Sequence, residues 1–454
     1  MIKLVYKDEG EDFMDRYWLK IKESIWFIPT LYSLFSVVLA IIFSTIDHLF
    51  DQTLLLYVPH VLLTTVDLAQ TILGGLSAAL LTMTTFTFST IMVVLTTYSS
   101  QFSPRTLKNF VRDPMVWRVL GVFMGGFIYT TLSLLFMQES IAGESVISSL
   151  VGVLYAMICL IFFAVFIHHI AQSIQVNTLI EKLTIEGIDA VGCYEAFLKR
   201  EDMTTQTNDN WTIRGTAYPI TARSDGYLQL VDIEQLIALA QKHKGKIEMN
   251  CCIGDFVQEK TQVFTLYTKE QITLQEIDGN LFVVGRERDT RQDPVFAIQK
   301  MVEVSLRAIS PGINDPNTAI HNIHQLGRLL GSYSQLPRRD FIFMDVDKQF
   351  RVKMSLHTFE EVLYHTFHQL RHYGKSDISV LGAITDSLTM AAQLAPLESK
   401  KDIWIIQLYI LEGMENSDLQ SLDRVFYQKK INKLANLVGE ESVDLPIFMT
   451  DENI

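Results

Sequence analysis

Four stretches of about 20 mostly apolar residues constrain this chain more than anything else in it, because that is the helical length that crosses a hydrocarbon core. They run from Ile25 to Ile46, Ala69 to Tyr98, Val116 to Met137 and Val146 to Ile167. Inside a bilayer each backbone amide must find its partner within its own segment, so stretches of this kind predict membrane-spanning helices. The residues before the first stretch include Lys3, Lys7, Asp8, Glu9, Glu11, Asp12 and Arg16. That is too polar and acidic for a secretory signal, and the first span is expected to stay in the mature protein.

Positive charge on short flanks marks the cytoplasmic side. Lys3, Lys7, Arg16, Lys20 and Lys22 precede span one, and Arg105, Lys108 and Arg112 follow span two, whereas the connectors Asp47 to Leu68 and Gln138 to Ser145 hold no Lys or Arg. Both termini, and everything after His168, are therefore expected in the cytoplasm. Ser103-Pro104 starts a short helix that would carry Arg105, Lys108 and Arg112 along the inner leaflet, as an anchor to anionic lipid or as a hinge.

The net charge of -13 and the hydrophobic fraction of 48% average two different halves. Apolar residues crowd before Ile170 and charge after it. The acidic remainder has no basic surface for nucleic acid. Cys159, Cys193, Cys251 and Cys252 form no CxxC pair and are assigned no role.

The expected fold class is an α-helical four-span transmembrane domain followed by a cytoplasmic α+β domain, a small β-barrel-like module and then a helical bundle. The segments are 1–24 at the N-terminus, 25–167 for the spans, 168–210 for a juxtamembrane helix, 211–285 for the β module, 286–440 for the helical region and 441–454 for an acidic tail. The β module is read from short runs such as Gly226 to Val231, Val263 to Tyr267 and Leu281 to Val284, with Asp232 capping a helix from Ile233 to Lys242. Its hairpins resemble biotinyl and lipoyl carrier folds, without a carrier lysine in place.

Span two differs from the others in its hydroxyls. At helical spacing Gly74, Ala78, Thr82, Thr85, Ser89 and Thr96 fall near one face, with Val93 interrupting it. Such a face either packs tightly against another helix or lines a hydrated pathway, and both readings stay open. Asp67 stands at the mouth of the stripe, as a solvated charge or an attractor of cations. Gly121 and Gly125 of span three make a GxxxG pattern, which most simply predicts close packing of spans two and three.

Farther on, Asp293-Pro294 and Asp315-Pro316 each place an acidic cap before a proline, the start signal of a helix. Two helices, Pro294 to Ile309 and one reaching about Leu330, should pair around Pro311-Gly312. Arg286, Arg288, Arg291 and Arg307 lie near these starts with Asn314 and Asp315. They offer contacts to an anionic ligand or a neighbouring subunit, or salt bridges to acids nearby. Glu361, His365, His368 and His372 share a helical face, with His357 just outside it. Four ligands on one straight helix span too far for one ion, so Glu361, His365 and His368 are weak metal candidates and no metal or other cofactor is expected.

The run Ser100-Gln101-Phe102-Ser103-Pro104-Arg105 followed by Gly121-Val122-Phe123-Met124-Gly125 resembles the bacterial membrane-protein family known as domain of unknown function 2254. So does Gln292-Asp293-Pro294 followed by Leu306-Arg307-Ala308-Ile309-Ser310-Pro311-Gly312-Ile313-Asn314-Asp315-Pro316. The resemblance covers essentially the whole chain. It implies a four-span inner-membrane protein with a C-terminal cytoplasmic domain, and it carries no activity and no catalytic residues.

Three classes of function remain. A homo-oligomeric channel-like or transport protein, with span two on the pathway and a cytoplasmic gating or sensing domain, ranks first. A membrane-anchored sensor or scaffold comes second and a tethered enzyme third. The partners expected are the lipid bilayer, further copies of the chain and an inorganic ion or small anionic ligand.

Overall fold

A computed structural model of the chain describes residues 26–49, 64–102, 110–111, 113–137, 146–205, 211, 213–272, 281–338, 340–414 and 419–445. The N-terminal flank, the basic residues Arg105, Lys108 and Arg112, and the end of the acidic tail lie outside them. The chain divides into two units, Met1–Gln175 and Val176–Ile454.

The first unit holds α1 (Phe27–Leu49), α2 (Val66–Thr97), α3 (Pro114–Phe136) and α4 (Ser148–Ser173). All four are long and apolar enough to cross a membrane. They are unequal in burial: 56% of the apolar window of α3 is covered by its neighbours, against 17 to 22% in the other three. Small residues make α3 the centre. A Cβ on Gly121 would come within 3.1 Å of Pro29 Cα, and one on Gly125 within 2.5 Å of Ser36 Oγ and 2.6 Å of the Tyr155 hydroxyl. The GxxxG pattern therefore seats α1 and the Tyr155 side chain of α4, not α2 as the spacing alone suggested.

Helix α2 joins the bundle differently. Its Leu73 fills the notch at Gly152 of α4, 2.6 Å from a built Cβ, and Leu80 fills the one at Gly126 of α3, at 3.1 Å. Gly74, expected in packing, has no atom within 4 Å of its built Cβ. Gly125→Val is thus expected to destabilise the bundle by at least about 1–3 kcal/mol, the cost of forcing side-chain volume into a filled core. Gly74→Val should leave the monomer's melting temperature in detergent within about 1–2 °C, since surface substitutions shift stability little.

The second unit begins with α5 (Val176–Leu198), which follows a break after α4 at Ile174 and Gln175, inside the stretch 168–210 expected as one juxtamembrane helix. Nine strands follow, with helices between them: β1 (Met203–Thr204), β2 (Thr216–Thr221), β3 (Gly226–Val231), α6 (Ile233–Lys242), β4 (Lys246–Met249), β5 (Phe256–Val257), β6 (Gln262–Thr268), β7 (Phe282–Gly285), α7 (Pro294–Ala308), α8 (Pro316–Tyr333), β8 (Phe341–Met344) and β9 (Phe350–Met354). They form a six-stranded sheet in the order β1-β8-β9-β4-β6-β2 and a three-stranded sheet β5-β3-β7. The larger sheet is antiparallel except for β4 beside β9, where Ile247 faces Val352. Pro219 lies in β2, an edge strand, where a missing N–H is tolerated.

The larger sheet joins strands from both sides of the boundary expected at Gly285. The β8–β9 hairpin comes from a region read as helical, and it is turned by Asp345, whose carboxylate accepts the amides of Asp347 and Gln349, both at 2.9 Å. Among the described residues that remain, the elements are helices: α9 (Phe359–Gly374), α10 (Ile378–Leu394), α11 (Leu397–Glu412) and α12 (Ser421–Val438). Helix α5 packs on α7 and α8, and α8 lies closely on α10, where a Cβ on Gly327 would stand 2.7 Å from the Ser387 carbonyl.

Candidate functional site

The buried line of α2 is Ala69, Leu73, Leu80, Thr87, Ile91 and Val94. At about 100° per residue these positions cluster on one side of the helix. Opposite them stand Asp67, Thr71, Ala78, Thr82, Thr85, Ser89 and Thr96, all exposed, with Gly74 half-buried among them. The hydroxyl stripe is therefore the face that α2 turns away from its own bundle. Met92 and Val93, both exposed, interrupt it between Ser89 and Thr96. Large apolar residues border it, Leu68 and Phe86 on one flank and Leu81 and Phe88 on the other, each about half exposed.

The threonine hydroxyls of this face are satisfied within the helix. Thr71 donates to the Asp67 carbonyl (2.9 Å), Thr82 to Ala78 (2.9 Å), Thr85 to Leu81 (3.0 Å) and Thr96 to Met92 (2.9 Å). Each proton is used on the backbone, so the group presents an oxygen lone pair outward. A column of acceptors beneath the Asp67 carboxylate suits a cation better than an anion.

The far end of α2 contains a feature that spacing did not reveal. The helix widens into a π-helical turn, Tyr98–Phe102, a form that recurs at functional sites. There the Tyr98 hydroxyl donates to the Ser173 carbonyl at the end of α4, and its ring lies 5.5 Å from that of Phe110. Asp113 ties a second pair of helices: one carboxylate oxygen caps α3 by accepting Met115 N (3.0 Å), and the other lies 2.9 Å from His169 Nε2 on α4. A pairing of Asp113 with His169 across 56 residues of sequence has no local signal.

In the second unit the four arginines do not converge on an open site. Arg288 turns inward and grips Asp293 with two parallel bonds of 2.7 and 2.8 Å, while its third nitrogen donates to Gln299 (3.0 Å). Burial raises the Asp293 carboxyl above its ordinary value, and the Arg288 guanidinium pulls against that. The same carboxylate caps α7 by accepting Phe296 N (2.9 Å). Gly254, at φ +97°, lets the backbone pass directly over the pair, where a Cβ would collide with it. Arg291 pairs with Asp289 at 3.0 Å, and Arg286 and Arg307 are exposed. Arg288 and Arg291 thus follow the salt-bridge alternative, and Arg288 is committed to the core rather than to an anion.

Asn314 and Asp315 build a turn. Asn314 takes φ +50°, and Asp315 accepts Thr318 N (3.1 Å) to cap α8 while its own amide donates back to Ala308 (2.8 Å). Asn314 and Pro316 also line a cleft of about 460 Å³ with Tyr373, Lys375, Asp377 and Asp423.

The metal candidates are used otherwise. Glu361 accepts Thr358 N (2.9 Å) in a capping box that starts α9, and His368 Nδ1 lies 3.0 Å from the Tyr364 carbonyl. Burial and the neighbouring His368 hold the His365 imidazole below its ordinary value. Among the described residues no three His, Cys, Asp or Glu side chains gather as a metal site would require.

Comparison with known proteins agrees with the helices. Uncharacterized proteins of Mycobacterium bovis and Mycobacterium tuberculosis are 27% identical over 336 residues, 72% of this chain and 64% of theirs, so the match spans less than two thirds of those relatives. No solved structure matches the chain. The model of a family described as predicted membrane protein, domain of unknown function 2254, matches residues 22–390. Four apolar helices and a family match over most of its length establish that this chain belongs to the DUF2254 family of predicted membrane proteins.

Proposed function

We propose that the protein is a homo-oligomeric, channel-like protein of the bacterial cytoplasmic membrane, with α2 around a symmetry axis, its termini in the cytoplasm and the second unit gating or sensing. The observation that carries this reading is the division of the exposed arc of α2: an oxygen-lined stripe from Asp67 to Thr96, bordered on both sides by large apolar residues. In a ring of copies the apolar flanks supply subunit contacts and the stripe faces the axis, as closed symmetric assemblies allow. Four helices in one chain do not enclose a pathway, so the copies must. The outward lone pairs and Asp67 favour a cation as the permeant species.

The second reading, a membrane-anchored sensor or scaffold, draws on the same threonines. A hydroxyl bonded to its own backbone is comfortable in lipid or in a dry helix interface, and then the stripe is packing alone.

Cysteine accessibility separates the two. Placed singly at Thr82, Thr85 and Ser89 in the full chain in liposomes, cysteines on a hydrated pathway are expected to react with a charged, membrane-impermeant thiol reagent. Phe86→Cys on the flank should stay unreactive. Silence at all three stripe positions in a stable oligomer would remove the pathway and leave the scaffold.

A further inference from the structure

At the end of the bundle where α1 stops and α4 begins, Asp47 reaches across 100 residues of sequence. One carboxylate oxygen accepts Ile147 N (2.8 Å) and the other Ser148 N (3.2 Å). Ser44 of α1, Ser133 of α3 and Ser148 of α4 close a pocket around that carboxylate, over an apolar floor. The pocket encloses about 10 Å³, room for one water-sized body. Ser133 and Ser148 are 3% and 2% exposed; the Ser133 hydroxyl stands beside the Tyr129 hydroxyl, and among the described residues the Ser148 hydroxyl has no hydrogen-bond partner. The nearby Tyr129 hydroxyl does not serve Ser148 Oγ, since it donates to the Ser148 carbonyl (2.9 Å).

Buried polar groups are almost always satisfied, so an orphan hydroxyl on a small cavity beside a carboxylate points to an occupant. We infer that this pocket binds one small monovalent cation of the sodium class, held by Asp47 and the hydroxyls of Ser44, Ser133 and Ser148. The donor set is oxygen alone, as a hard cation requires, and its one carboxylate matches one positive charge. Calcium takes six to eight oxygens and more anionic ligands than this pocket offers. The sequence points the same way: the connectors 47–68 and 138–145 carry Asp51, Asp67, Glu139 and Glu144 beside Asp47 and no Lys or Arg. The site ties the ends of three spans together and stands apart from the reading of α2.

A cation that binds only the folded protein raises its stability in proportion to its saturation. The test is the melting temperature of the full chain in detergent, in choline chloride at fixed ionic strength with NaCl, LiCl or KCl exchanged in. The expected result is a saturable rise with Na⁺ that choline does not give and that Asp47→Asn abolishes. Ser148→Ala keeps the Asp47 cap but removes one ligand, and should raise the half-saturating Na⁺ concentration about tenfold. Equal melting in every salt overturns the site, as does a sodium response that survives Asp47→Asn. Should Asp47→Asn fail to fold, an unshifted half-saturation in Ser148→Ala overturns it instead. A Ser148→Ala loss that is identical in all salts, with no sodium response in the parent, would identify one ordered water and likewise overturn the cation.

Discussion

If α2 lines a cation pathway as proposed, liposomes carrying a Thr85→Trp protein are expected to lose the flux measured with the parent chain. Thr85 lies mid-helix on the exposed stripe of α2, away from the buried line of Leu73, Leu80 and Ile91, so an indole there leaves the monomer's packing intact. In a ring of copies the same substitution places one indole per subunit around the axis. A fall below about a tenth of the parental rate, a barrier raised by at least about 1.4 kcal/mol, is the expected size. Thr85→Ser keeps the outward oxygen and should conduct. Flux is measured with sodium, potassium and choline salts in turn, and the cations should pass in preference to chloride. Equal flux through Thr85→Trp and parent would remove α2 from the pathway. A parent that is silent, both whole and without the region after Lys199, would transfer the weight to the sensor or scaffold.

The largest loss of stability in the second unit is expected from Arg288→Met. Asp293 is 2% exposed, and Arg288 supplies both bonds that balance its charge. Breaking a buried pair from one side strands a charge and costs about 3–5 kcal/mol. For a unit of this size that corresponds to a fall in melting temperature on the order of 10 °C. The loss should depend on pH in a defined direction. Burial already holds the Asp293 carboxyl above its ordinary value with Arg288 present, and removing the cation raises it further. A carboxyl raised in the folded state is most favourable to folding when protonated, below its unfolded value of about 3.9, and that contribution is lost as pH rises through the folded value. The deficit of Arg288→Met relative to the parent should therefore shrink toward acid and grow toward neutral pH. Arg286→Met, at an exposed position immediately after the end of β7, should change stability by no more than about 0.5 kcal/mol. If Arg288→Met melts with the parent at neutral pH, the pair is dispensable and the corner at Gly254 holds by packing alone.

The features legible in the sequence were those that depend on a few neighbouring residues. The helix starts at Asp232, Asp293 and Asp315 are each made by a carboxylate accepting an amide three residues ahead. A cap is a local bond, so residue type and spacing suffice to predict it. The four spans were legible because the bilayer fixes their length. The strands at Gly226 and Val263 were legible as short runs, whereas Phe341-Ile342-Phe343-Met344 was not. A short apolar run without alternation reads equally as helix or strand until a neighbour offers it a ladder.

What the sequence determined by itself, then, is the kind of chain this is: four apolar helices for a membrane, a charged remainder, capped helices and the family motif at Ser310 to Pro316. The tertiary structure alone decided which faces meet. Glycines at Gly121 and Gly125 announce a close approach, but the partner is α1 because Pro29, Tyr32 and Ser36 fit against them. The hydroxyls of α2 announce a polar stripe, and its outward direction follows from Leu73 and Leu80 filling notches on the opposite side. Arg288 could have faced solvent and a ligand, yet the chain folds Asp293 and Gly254 over it. Asp47, Ser133 and Ser148 have no relation along the chain and share a pocket only where three helix ends converge. Local bonds are written in local sequence, whereas the choice among surfaces rests on shape complementarity between segments far apart, which no window of residues contains.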